Sequence, residues 1–355
     1  AAGTYVTRAE IPAGVSLYGG FGGTETHRGQ RDPETHETVL DGNADGPVLT
    51  VAAGAHGGTV LDGFTVRNGV ADSAGGLLCR PGAPTVQNCV FEACRAARTN
   101  GGAVVFESSA GVLRECTFTD NRADDNGGAV YVRRGSPRIE QCLFSRNEAA
   151  QGGALFADEA APTIVRNRFE TNAGRNNGGG VCLRNGHPLA ADNLFLRNTA
   201  LASGGGLYAY GDWGHCTAVV TNNTSVLNTA DAGGALATDR DCTLTLASNL
   251  AARNSSGFDN GGGNWTVRHN CVFENGGRDW NGLADPTGAD GNVRADPRLA
   301  DTVGGNLHLR LDSPCIDNGD NTEVHTDLDV DGQPRIQTGT VDIGADESDG
   351  TDWPE

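Results

Sequence analysis

Residues 126–147 of the chain read NGGAVYVRRGSPRIEQCLFSRN, and residues 100–121 read NGGAVVFESSAGVLRECTFTDN. Both stretches open on Asn-Gly-Gly, pass through a short apolar run and a Gly- or Ser-containing turn, and close on Cys-x-Phe with an Asn three residues further on. The Gly-Gly signal recurs at Gly75, Gly101, Gly127, Gly152, Gly179, Gly205, Gly233 and Gly262, in steps of 25 to 29 residues. Self-similarity at a period of this size marks stacked units, each burying its apolar face against the next.

The apolar runs, such as Ala129 to Val132, Ala154 to Ala157 and Leu207 to Tyr210, are separated by Gly, Asn, Ser and Pro, which leaves no room for helices. A circuit of about 26 residues at ~3.3 Å each is roughly 85 Å around, enough to enclose one layer of side chains. Val86/Cys89/Phe91, Leu113/Cys116/Phe118, Ile139/Cys142/Phe144 and Ile164/Asn167/Phe169 share a three-then-two spacing. A two-step keeps side chains on one face of a strand, whereas a three-step reverses the face unless the chain turns a corner. A corner in each coil therefore lets all three residues point inward. Stacking then builds a ladder from Phe91, Phe118, Phe144, Phe169 and Phe195, a second from Cys89, Cys116 and Cys142, and a third from Asn121, Asn147, Asn172 and Asn198. The expected fold is an all-β parallel solenoid over residues 1–284, with terminal coils and an acidic capping segment over residues 285–355.

The pairing of GGAV or GGAL with FTDN, FSRN, FETN and FLRN over residues 75–275 resembles the GGA[ILV] and FxxN repeats of the chlamydial polymorphic outer membrane protein family. That resemblance implies a right-handed parallel β-helix of the pectin-lyase-like superfold. Upstream, GVSLYGGFGGTETHRGQRDPETHETVLDGN resembles the first coils of secreted bacterial β-helix proteins, which implies a capping segment ahead of Ala1. Downstream, NLHLRLDSPCIDNGD and DLDVDGQPRIQTGTVDIGADE resemble the terminal module of bacterial surface proteins with interchangeable C-terminal anchors. Together they imply secretion and display at the cell surface.

Composition narrows the function classes. The net charge is −19, and residues 285–355 hold 17 Asp and Glu against 4 Arg. Such a chain is a poor partner for nucleic acid, which demands clustered positive charge, and no stretch reaches the ~20 apolar residues of a membrane helix. There is no lysine, which removes a lysine base from any lyase chemistry. The adjacent pair Asp124-Asp125 lies in a turn without a His-Gly or Arg-x-Lys neighbour, and reads as a solvated turn. Aromatic and cationic side chains that could contact carbohydrate are Tyr208, Tyr210, Trp213, Arg133 and Arg134. Asp327, Asp329 and Asp331 occupy alternate positions ahead of Gly332, as in half of a calcium loop, so Ca²⁺ is a candidate cofactor there. Position 12 of that loop is Thr338 rather than Glu; in the resembled terminal module the segment looks like a cap, which leaves Arg335 free to pair with Asp342.

None of the ten cysteines forms a Cys-x-x-Cys pair, which argues against zinc bound by thiolates. Cysteines in one register, Cys89/Cys116/Cys142 and Cys216/Cys242, are expected either to pack as small buried apolar groups or to form rung-to-rung disulfides; Cys79 and Cys94 could instead close one coil. The functional expectation is an extracellular or cell-surface adhesin or self-associating matrix element, with end-to-end association or a surface glycan as partner. The alternative is an extracellular protein that binds or cleaves polysaccharide.

Overall fold

The computed structural model describes residues 1–212, 215–351 and 353. The chain is an all-β parallel solenoid with coils near 26 residues, and among the described residues helix is confined to the 3-10 turns Arg28–Gln30 and Asn321–Glu323. It divides into two compact units, Ala1–Thr163 and Ile164–Glu355.

In the first unit, strands Thr85–Gln87, Val112–Arg114 and Arg138–Glu140 pair in parallel and stack Val86, Leu113 and Ile139 in one column. Strands Val90–Glu92, Thr117–Thr119 and Leu143–Ser145 do the same with Phe91, Phe118 and Phe144. All six side chains are fully buried. The Phe rings are nearly parallel, with centroids 5.1 and 4.8 Å apart, close to the strand spacing itself. In the second unit Phe169 stacks on Phe195 at 5.0 Å, and Ser225 and Ala251 take the next two places in that column.

The corner inferred from the three-step has a simple backbone cause. The residue before each ladder position has positive φ: Asn88, Glu115 and Gln141 before the cysteines, and Ala93, Asp120 and Arg146 before Cys94, Asn121 and Asn147. Left-handed backbone at a residue with a Cβ costs energy, and the buried side chain that follows offsets it by hydrogen bonding. Asn121 donates from its backbone N–H and from Nδ2 to Asn147 Oδ1, both at 3.0 Å, and from Nδ2 to Phe91 O at 2.9 Å. In the second unit two such amide ladders run side by side. One is Asn167, Asn193, Asn223, Asn249, Asn270 and Asn292; the other is Asn172, Asn198, Asn228, Asn254 and Asn275. Coil length there ranges from 21 to 30 residues, yet the amide chain keeps its pattern.

The glycine stations need correction. The left-handed corner lies at Ala74, Gly101, Gly127 and Gly152 in the first unit and at Gly178, Gly204 and Gly233 in the second. Within the Gly-Gly-Gly runs the corner is therefore the first glycine, not the second. Gly262 belongs to a different bend, because the coil's equivalent place is held by Ser255 and Ser256 against Gly234. The residue after the corner is glycine for a steric reason: a Cβ on Gly128 would lie 2.1 Å from Gly153 O of the next coil.

The acidic C-terminal segment starts with a last strand, Val293–Arg294, paired on Cys271–Phe273, and then runs along the outer side of the coils. Strands Leu299–Asp301 and Asn306–Leu309 form an antiparallel pair. Leu307, Leu309, Cys315, Ile343 and Ala345 pack on Leu194, Leu196, Val226, Leu250, Ala252 and Cys271. Those coil residues alternate with inward-facing neighbours such as Phe195, so they are the outward side of their strands. Corresponding outward positions in the first unit are Thr117, Thr119 and Ser145, which tolerate water. Apolar outward positions require a cover, and the C-terminal segment supplies it.

Candidate functional site

On the first unit, one outward column runs across five paired strands: Tyr18, Asp62, Gln87, Arg114 and Glu140. Residues between Gly19 and Glu37 leave the coil and return over this column. Arg31 anchors that loop, with Nη2 2.5 Å from Asp62 Oδ2 and both side chains mostly buried. Asp62 also accepts from Gln87 Nε2 at 2.9 Å and Asn88 Nδ2 at 3.0 Å. Burial works to raise the Asp62 pKa, but Arg31, Asn88 and Gln87 outweigh it and hold the carboxyl below its ordinary value. Arg114 donates to Gln87 Oε1 at 2.8 Å and lies 4.0 Å from Glu140.

The loop places a second guanidinium beside the same column. Arg28 Nη1 donates to Tyr18 Oη at 2.6 Å, and the Arg28 and Arg31 Cζ atoms lie 4.6 and 5.3 Å from the Tyr18 ring centroid. Among the described residues no carboxylate pairs with Arg28. Tyr18, Arg28, Arg31, Gln87 and Arg114 line an open groove of about 590 Å³. Guanidinium groups grip carboxylates and sulfates through two parallel N–H donors, and an aromatic face beside them suits a sugar ring. An open groove along a sheet face admits an extended chain, whereas cofactor pockets are enclosed and mostly apolar.

A family model described as right handed beta helix region matches residues 49–175 and 123–275, together more than half of the chain. The chain belongs to the right-handed β-helix family. No curated protein matches this β-helix significantly.

The groove uses none of the carbohydrate-contact residues expected from the β-helix sequence. Arg133 lies 3.6 Å from Glu107 and 3.9 Å from Asp158, and Arg134 pairs with Glu159 at 2.6 Å, so both cations face carboxylates. Tyr208 and Tyr210 stack on each other at 5.3 Å, and burial pushes the Tyr208 phenol up to about 12. Trp213 lies outside the described residues. Asp124 accepts from Arg95 at 3.2 Å, an ordinary exposed pair.

Of the ten cysteines, Cys216 and Cys242 form a rung-to-rung disulfide with Cα atoms 4.6 Å apart. Cys89, Cys116 and Cys142 are buried thiols outside any disulfide, each donating to the carbonyl two residues earlier at 3.1, 3.3 and 3.2 Å. Cys79 and Cys94 do not close a coil; Cys79 Sγ sits 3.7 Å from Ser109 Oγ. Burial raises the pKa of Cys89, Cys94 and Cys116, which makes them inert packing groups rather than nucleophiles.

The expected calcium triplet does not converge. Asp329 is fully buried and its carboxylate is occupied by three backbone N–H donors, from Asp331, Gln333 and Glu347. It fixes the turn instead of facing a cation. Asp327 belongs to no cluster of candidate ligands among the described residues, and Asp331 turns toward His308 and Asp346. Arg335 likewise has other partners than the expected one. It pairs with Asp192 at 2.9 Å and Glu347 at 3.4 Å, and reaches Asp342 only through the backbone carbonyl. Burial of that ion cluster lifts the Asp192 carboxyl to about 6 despite Arg335.

Proposed function

We propose that the protein is an extracellular, adhesin-like β-helix that holds an acidic polysaccharide without cleaving it. The observation that carries this reading is the groove lined by Arg28, Arg31, Arg114 and Tyr18, in which Arg28 lies against the Tyr18 ring with no carboxylate partner among the described residues, on a chain of net charge −19. Asp62 neutralises Arg31 and Glu140 lies near Arg114, so the Arg28 guanidinium is the charge that selects an anionic ligand, and the open groove admits an extended one. Of the readings left open by the sequence, the groove favours glycan binding over self-association. Binding without turnover is favoured by the state of Asp62: a carboxyl held below its ordinary value by Arg31 cannot serve as general acid near neutral pH.

The test is calorimetric titration with polygalacturonate, alginate and a neutral glucan, followed by an assay for unsaturated or reducing ends. Uronate polymers are expected to bind with a salt-dependent affinity, the neutral glucan not to bind, and no new ends to appear. The double variant Arg28→Ala/Arg114→Ala should weaken uronate binding at least tenfold. Equal binding by that variant would remove the groove from the function. Turnover lost on Arg28→Ala or Arg114→Ala would replace the binding reading with a lyase.

A further inference from the structure

The groove leaves unused a group of side chains at the far end of the sequence. His308, Asp331 and Asp346 each present one ligand atom, and these atoms lie within 4.8 Å of one another. They come from three separate pieces of the C-terminal segment: the strand Asn306–Leu309, the turn after Asp329, and the stretch just before Glu347. We infer that His308, Asp331 and Asp346 form a binding site for a first-row divalent cation of the Zn²⁺ type, which clasps the C-terminal segment onto the coils it covers.

Three observations distinguish this from a patch of surface acid. First, the imidazole is already oriented. Its Nδ1 faces Asn306 Oδ1, an atom that can only accept, so Nδ1 carries the proton and Nε2 is turned toward the carboxylates. The ring is held from one face by Trp353, with centroids 4.1 Å apart and planes 15° from parallel. Second, His308 Nε2 lies 2.9 Å from Asp331 Oδ2. With Nδ1–H committed to Asn306, neutral His308 would set two lone pairs against each other across that gap. The gap therefore calls for a positive charge, either a second ring proton or a cation. Third, Asp346 is only 6% exposed, and its single hydrogen bond is from Leu309 N–H to Oδ2 at 2.8 Å. Its other oxygen has no hydrogen-bond donor among the described residues. A carboxylate on so deeply buried a side chain is costly to keep charged unless a cation meets it.

The donor set selects the ion. One imidazole nitrogen with two carboxylates suits Zn²⁺, whose bonds of ~2.0–2.2 Å place ligand atoms about 3.3 Å apart. Ca²⁺ and Mg²⁺ prefer all-oxygen sets. Small adjustments, among them an opening of the 2.9 Å His308–Asp331 gap, bring the three atoms to that separation. Asp331 is the most exposed of the three, so the remaining coordination position faces water. The ion would neutralise a neighbourhood that also holds Asp329, and would tie the turn after Asp329 to the strand carrying Leu307 and Leu309, which pack on the coil face.

The experiment titrates chelator-treated full-length protein with Zn²⁺, and separately with Ca²⁺, by calorimetry and by thermal melting. Zn²⁺ is expected to bind one site per chain and to raise the melting temperature; Ca²⁺ is expected to do neither at the same concentration. His308→Gln should remove the site, and Asn306→Ala should weaken it about 10–100-fold through loss of the orienting hydrogen bond. Because Asp346→Asn alters a buried group and could misfold, Co²⁺ substitution provides an independent readout. The absorption spectrum of bound Co²⁺ should report a tetrahedral nitrogen–oxygen ligand set and vanish in His308→Gln. Equal Zn²⁺ affinity in wild type and His308→Gln would show that scattered carboxylates bind the ion, and would overturn the site. Tight binding of Ca²⁺ in place of Zn²⁺ would overturn the assignment of the ion.

Discussion

Asn223 offers the sharpest test of what holds the coils together. Its Oδ1 accepts from Asn193 N–H at 3.0 Å and from Asn193 Nδ2 at 2.9 Å. Its Nδ2 donates to Ala190 O and Thr221 O, both at 2.9 Å, and to Asn249 Oδ1 at 3.0 Å. The side chain is almost fully buried. Asn223→Ala deletes all five contacts and leaves two donors of Asn193 facing an apolar methyl. Each orphaned buried donor costs about 1–3 kcal/mol. Partial relief by a water entering the vacated volume brings the expected loss to roughly 3 kcal/mol. Asn223→Asp keeps the acceptor but removes both donors and buries a charge, so it should cost at least as much. Thr217→Ala, on the exposed side of the neighbouring strand, is the control and should stay within ~0.5 kcal/mol. Urea denaturation followed by far-ultraviolet dichroism measures all three, and hydrogen exchange at the backbone amides of Asn193 and Asn223 locates the effect. An Asn223→Ala protein within ~0.5 kcal/mol of wild type, with unchanged protection at Asn193, would refute the claim that the amide ladder stabilises the corners.

Three further outcomes follow from the packing. Phe118, stacked between Phe91 and Phe144, should cost about 3–5 kcal/mol on change to Ala and under ~1.5 kcal/mol on change to Leu, by urea titration. Replacing both Cys216 and Cys242 by Ala opens a link between residues 26 apart and should lower stability by about 3 kcal/mol under oxidising conditions, with no difference once wild type is reduced. Asp62 is held below its ordinary pKa, so it stabilises the fold above the unfolded carboxyl value of about 4 and loses that contribution as pH falls through the folded value. Melting temperatures from about pH 6 to 2.5 should fall more steeply for wild type than for Asp62→Asn, and parallel slopes would contradict the Arg31–Asp62 anchor.

The repeating part of this molecule was legible because parallel stacking makes register a local property. A residue lies on its counterpart one coil away, so the recurrence of Leu113/Cys116/Phe118 at Ile139/Cys142/Phe144 states the contact directly. The same logic could have found the second amide ladder. Asn167–Asn172, Asn193–Asn198, Asn223–Asn228, Asn249–Asn254 and Asn270–Asn275 repeat a five-residue spacing, in which Cys89–Cys94 and Cys116–Asn121 hold equivalent places. In the runs 178–180 and 204–206 the corner glycine was not legible, since Gly-Gly-Gly offers two equivalent pairs and only the sign of φ chooses between them.

Tertiary structure alone decided what covers the outside of the coils, because those contacts join residues with no periodic relation. Asp192 meets Arg335, and Arg197 reaches Thr302 O, across more than a hundred residues. The outward side of Leu194, Leu196 and Leu250 needs a cover, and nothing in the repeat says which segment provides it. The groove was hidden for the same reason. Tyr18 and Asp62 are neighbours in space only because the loop that carries Arg28 and Arg31 is extruded between their strands. Sequence period records what the chain does once per coil; a site made by an excursion from the coil exists only after the excursion has folded back.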